Sequence, residues 1–164
     1  MDRRDFLKTV AIAGAAMTIQ RSEAMEVLTQ AVNNTGKPDL VAVMGGEPEV
    51  MFQRAITELG GMKQFVKPGQ KVVVKPNIGW DKVPELAGNT NPKLVAEIVK
   101  QCFAAGAKEV TVFDHTCDDW QKCYKNSGIE AAAKAAGAKV MPAHLESYYR
   151  SVDLPKGKNL KKAK

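Results

Sequence analysis

Residues 89–114 read "NTNPKLVAEIVKQCFAAGAKEVTVFD", and this stretch decides the fold. Asn91 has the side chain of a good helix N-cap, Pro92 suits the first helical position, and Gly106 stops the helix. Leu94, Ile98 and Cys102 recur every four residues, which places Cys102 on a buried stripe, where a thiol behaves as a small apolar group. The pattern then changes. "KEVTVFD" (108–114) is a β-branched run that ends in an aspartate, and a helix delivered through a glycine into such a run is half of a βαβ unit.

The same rhythm extends in both directions. Upstream, "KVVVKPN" (71–77) is a strand, with Pro76 holding Lys75 extended. Before it, Pro48 opens a helix over 48–59 that Gly60-Gly61 closes, and "DLVAVM" (39–44) reads as a first strand ending at Gly45-Gly46. Downstream, Ser127 and Glu130 have capping-box spacing before "IEAAAKAAGA", and "AKVMPA" (138–143) reads as a further strand. Short apolar strands separated by helices predict an α/β fold with three layers: a four-stranded, mainly parallel sheet with helices on both faces, a partial Rossmann-like domain. The expected organisation is a leader over 1–24, a linker over 25–38, the α/β domain over 39–150 and a basic tail over 151–164.

Charge narrows the function classes. The chain of 164 residues carries a formal net charge of +6, but five lysines lie in the last nine residues and the rest is close to neutral. No basic surface interleaved with aromatics is visible, which argues against a nucleic-acid binder and for a solvated, frayed end. At the other end, "MDRRDFLKTVAIAGAAMTIQRSEA" places paired arginines before a ten-residue apolar stretch, Val10 to Ile19. That stretch is too short for a bilayer, which takes about 20 residues, and has the form of a secretory leader. Arg3-Arg4-Asp5-Phe6-Leu7-Lys8 resembles a twin-arginine export signal. The resemblance implies the twin-arginine export machinery as a partner and a periplasmic destination, with a tether to the membrane if the leader stays uncleaved. An amphipathic first helix is the alternative, and the weakly hydrophobic Ala/Gly stretch disfavours it. No span is expected in the mature protein.

Lys75-Pro76-Asn77 after a strand, Asn89-Thr90-Asn91-Pro92 at a helix start, the strand from Gly106 to Asp114, and Ser127-Gly128-Ile129 occur in one order and spacing. Together they resemble the first half of the family catalogued as domain of unknown function 362, over about residues 38–141. Many members carry ferredoxin-type cysteine clusters. Three cysteines without a C-x₂-C-x₂-C run do not supply such a cluster here. Members also continue with more strands, so the resemblance implies a first half that is truncated or naturally short.

Ligands of open parallel sheets bind beyond the carboxyl ends of the strands, and the expected ends carry Gly45-Gly46, Lys75-Pro76-Asn77 and Asp114-His115-Thr116-Cys117. Lys75 and Asn77 are candidates for binding a small anionic ligand, and Asp114 or His115 for acid/base work. His115 and Cys117, with Asp114, are also candidate ligands for a transition metal or a redox-active centre that would call for a redox partner. The competing reading is structural: a helix cap, a buried aspartate bonded to backbone, and a Cys117–Cys123 disulfide, which a helical 118–125 would forbid. Asn77 also suits a plain turn former, and His144 a surface histidine. Three functions stand at this point: an exported metal- or thiol-dependent redox-accessory or binding domain, an enzyme acting on a small anionic metabolite, and a half-domain that needs a partner.

Overall fold

The computed structural model describes residues 38–164. The twin-arginine-like motif, the apolar stretch after it and the linker through Lys37 lie outside the described residues. Four helices and a three-stranded parallel sheet make a mixed α/β fold. In chain order these are α1 (Pro48–Glu58), β1 (Lys71–Val74), α2 (Pro92–Ala104), β2 (Glu109–Val112), α3 (Trp120–Asn126), α4 (Ile129–Ala135) and β3 (Lys139–Val140). A short antiparallel pair follows, β4 (Val152–Asp153) with β5 (Lys162–Ala163).

The decisive stretch folds as its residues dictate. Asn91 accepts a hydrogen bond from the Lys93 amide at 2.9 Å, and Pro92 stands in the first turn. Val95, Val99 and Cys102 are the buried line of α2. Gly106 adopts φ +101°, and a Cβ there would approach the Pro68 backbone to 3.1 Å. Only glycine satisfies both conditions. Its carbonyl accepts from the Gly69 amide at 2.8 Å, tying the end of α2 to the entry of β1.

Strand order β1-β2-β3 follows chain order, with Val72 beside Val110, and Val112 between Val74 and Val140. Parallel crossovers are right-handed, so a sheet growing in one direction collects its connecting helices on one face. Accordingly, α1 packs on α2, and α2 and α3 pack on α4. Val110 and Val112, with Val72 and Val74 packed beside them, meet Val95, Val99, Cys102, Ile129 and Ala133 in one core. The opposite face, with Lys71, Val73 and Lys139, is open, and Val73 is 61% exposed. The described residues therefore form two layers, not the expected three.

The first of the four expected strands is also absent from the sheet. "DLVAVM" makes no ladder bonds, with Leu40 84% and Met44 95% exposed. Val41 and Val43 are half-buried between exposed neighbours, the period of a strand without its pairing. Alternation records which side chains turn inward, but a strand exists only through a bonded neighbour.

Two smaller expectations are corrected. Ser127 and Glu130 do not close a capping box. Gly128 at φ 71° takes the N-cap position of α4, the Ser127 hydroxyl accepts from the Ile129 amide, and Glu130 pairs with Lys134 one turn on. The basic tail does not fray, because Leu154 and Lys161 bond through their backbones and extend the β4–β5 pair. Among the described residues no helix is long and apolar enough to cross a membrane.

Candidate functional site

β1 and β2 point their carboxyl ends the same way, and two segments meet there: the loop 75–90 and the turn 113–119. Asp114 follows Val110 and Val112 in alternation, so its side chain turns inward and is 4% exposed. A buried carboxylate must be partnered. One oxygen accepts from the Ile78 amide at 2.8 Å, and the other lies 2.5 Å from the Lys75 ammonium. The lysine side chain is 61% exposed. The pair is thus a buried anchor holding an accessible cation.

Tyr124 completes the anchor. Its hydroxyl accepts from the Asp114 amide at 2.8 Å and shares its one proton between the carbonyls of Asp114 (2.9 Å) and Met141 (3.0 Å). One side chain from α3 therefore ties the end of β2 to the end of β3. Burial pushes the Tyr124 phenol up from its ordinary pKa.

Two asparagines staple the loop above Lys75. The Asn77 side chain accepts from the Gly79 amide at 3.0 Å and donates to the Gly88 carbonyl at 3.2 Å, while Thr90 closes on the Asn77 backbone. The Asn89 side chain accepts from the Trp80 amide and donates to the carbonyls of Trp80 and Lys82. Asn77 therefore builds the turn, one of its two expected roles, with its side chain engaged within the loop. The loop is then sewn to the neighbouring turn: the amides of Cys117 and Asp118 both donate to the Gly79 carbonyl, and Asp118 accepts from the Asp81 amide.

The residues of the 114–123 turn diverge. Asp114 is inside, His115 is exposed with its ring 6.1 Å from that of Tyr149, and Cys117 is exposed. Among the described residues no three of His, Cys, Asp and Glu gather where they could hold a metal ion. His115, Cys117 and Asp114 are consequently not gathered as a three-ligand group among the described residues. The Cys117–Cys123 disulfide is not formed either: α3 is helical, Cys123 lies buried within it, and both thiols are free. Asp119 caps α3 by accepting from the Lys122 amide at 3.0 Å. The collection of reactive residue types in one turn is partly structural, with His115 and Cys117 left exposed near Lys75 of the neighbouring loop.

Sequence reading missed Tyr124, Asn89 and the stack of His144 on Trp120, whose ring centroids lie 4.7 Å apart at 8°. Asn89-Thr90 beside the cap residue Asn91 was the one available signal for the loop staple. Nothing local marked Tyr124 or His144. Burial raises the pKa of Cys102 and of Cys123, which keeps both protonated near neutrality. One thiol, Cys117, is therefore expected to react promptly with a thiol reagent in the native protein, and two more only on unfolding. Removal of the fast phase by Cys117→Ser checks the assignment; three equally fast thiols would contradict it.

The family model described as "Domain of unknown function (DUF362)" matches residues 72–164. The chain belongs to this family. The match to domain of unknown function 362 begins inside β1 and includes Lys75, Asp114, His115, Cys117 and Cys123. It also takes in the β4–β5 pair, beyond the 38–141 over which the sequence motifs carry the resemblance, and leaves out α1 and the segment before it. The family description assigns no activity. "Thylakoid-associated protein sll1697" of Synechocystis sp. (strain ATCC 27184 / PCC 6803 / Kazusa) is 42% identical over 50 residues, which are 30% of this chain and 16% of that protein. The chain thus spans about a sixth of the length of the curated relative it matches. No solved structure matches the chain.

Proposed function

We propose that the carboxyl ends of β1 and β2 bind a small anionic metabolite, a phosphate or carboxylate compound, through the Lys75 ammonium. The observation that carries this reading is the buried Asp114 carboxylate, which holds an exposed lysine at the edge where open parallel sheets take their ligands. Asp114 acts as a positioning residue, because both of its oxygens are already engaged. His115 is an exposed group available for proton transfer in this part of the fold. A ligand that binds only the folded state raises the melting temperature by mass action. Screening phosphate- and carboxylate-bearing metabolites by thermal shift should find compounds that stabilise the wild-type chain and do nothing for Lys75→Met. Equal stabilisation of both proteins would move the site elsewhere.

A second reading, a domain that needs a partner to complete it, is favoured by the open sheet face and by the unpaired "DLVAVM" segment, which has the alternation of a fourth strand. Sedimentation velocity should then show association that rises with concentration, and a strictly monomeric chain with one cooperative melt would remove the reading. The Arg3–Lys8 motif supports export by the twin-arginine route to the periplasm. Arg3→Lys with Arg4→Lys should leave the protein in the cytoplasm; unchanged periplasmic yield would argue for another route.

A further inference from the structure

We propose that the C-terminal hairpin, from Val152 to Lys164, is a docking surface for an anionic lipid bilayer. The segment carries five lysines against one aspartate. Lys162 lies 3.7 Å from Asp153, and Lys164 pairs with Glu146. Among the described residues Lys156, Lys158 and Lys161 pair with no carboxylate, and all three are exposed. The lysines are presented on a built turn rather than a loose end. A Cβ at Gly157 would fall inside the Leu160 carbonyl, so the chain closes there only with glycine. The Lys161 ammonium donates to the Gly157 carbonyl at 2.7 Å, and the Gly157 amide donates to Leu154.

Apolar side chains stand among these charges. Leu160 at the turn is 59% exposed, and Val152 is exposed on β4. This combination selects the partner. An anionic bilayer surface offers negative headgroups for the ammonium groups and, directly beneath, an apolar layer for a leucine; lysine stems reach across that boundary with their charge in water. A polynucleotide offers the charge without the apolar layer, and residues 152–164 contain neither arginine nor an aromatic ring with which to fork onto phosphates or stack on bases.

Co-sedimentation of the full chain with phosphatidylcholine vesicles, with and without phosphatidylserine, tests the proposal. The wild type is expected to bind the anionic vesicles, to leave the neutral ones free, and to be released by added salt. Converting Lys156, Lys158 and Lys161 together to glutamate should lower partition at least roughly a hundredfold, and Leu160→Ala several-fold. The corresponding triple glutamine variant, which adds no negative charge, should act in the same direction and less strongly, so a misfolded glutamate variant leaves the test intact. Partition of the triple glutamine variant equal to wild type would assign the binding to another part of the chain, residues 1–37 included, and overturn the proposal. So would equal binding to neutral vesicles, or binding to duplex DNA that is tighter than to vesicles and indifferent to Leu160→Ala.

Discussion

Tyr124→Ala is expected to destabilise the domain by about 3–5 kcal/mol, the range for emptying a buried aromatic site. The side chain is 2% exposed and packs edge-on against Trp120 within the main core. Alanine would leave a cavity and also strand the Asp114 amide, whose acceptor is the Tyr124 hydroxyl. Tyr124→Phe separates these effects. It keeps the ring and removes the hydroxyl, at a cost of roughly 1–3 kcal/mol for a buried donor left unsatisfied. Urea unfolding of the three proteins gives both numbers. A loss of less than 1 kcal/mol in the alanine variant would show that the strand ends are held by something else. Alkaline pH supplies a second readout. Burial raises the pKa of Tyr124, Cys102 and Cys123, so the folded state holds these protons more tightly than the unfolded chain does. Their contribution is complete below the ordinary thiol pKa of about 8.5 and declines as pH rises, with the phenol adding its loss above about 10. Wild type should therefore lose stability with pH more steeply than Tyr124→Phe above about pH 10. Parallel pH profiles there would exclude the phenol as a contributor.

What the sequence revealed and what it concealed follow one physical division. α2 and β2 were legible because their determinants are local: a cap two residues from the amide it serves, a proline in the first turn, a glycine where φ must be positive, and a four-residue repeat that becomes a β-branched run. Ser127 and Glu130 carried the same kind of local signal, but Gly128 had already turned the chain, so the hydroxyl serves Ile129 instead. "DLVAVM" failed for a different reason. Its alternation is real, but alternation does not name a neighbour, and pairing is what makes a strand. The helix layer was misplaced because periodicity gives each helix an apolar side without saying which face of the sheet receives it; strand order decides that, and strand order is a tertiary fact. The candidate site divides the same way. Lys75 and Asp114 were visible as strand-end residues. That one partners the other, and that Asn77 spends its side-chain amide on Gly88, depends on contacts across 39 and 11 residues of chain.

Asp114→Ala should cost about 2–3 kcal/mol, the value of a buried hydrogen bond to a charged acceptor. The Ile78 amide would lose its partner where Ile78 is fully buried, and no water reaches it cheaply. Asp114→Asn can retain an oxygen toward that amide and should cost about half as much. Lys75→Met should cost less, about 1 kcal/mol: the exposed lysine is screened by solvent, but the buried carboxylate loses its cation. The lysine lies on the solvent side of the pair, so water can take its place on the freed Asp114 oxygen while the Ile78 amide still holds the other. The two residues are therefore expected to part company. Lys75→Met abolishes ligand stabilisation in a protein that keeps most of its stability, whereas Asp114→Ala loses both. Amide exchange at Ile78 reports the anchor by itself: protection should fall sharply in Asp114→Ala and persist in Lys75→Met. If Lys75→Met instead destabilised the fold as much as Asp114→Ala, the lysine would be holding the carboxylate in place, and the strand-end pair would be an element of structure with no cation to offer a ligand.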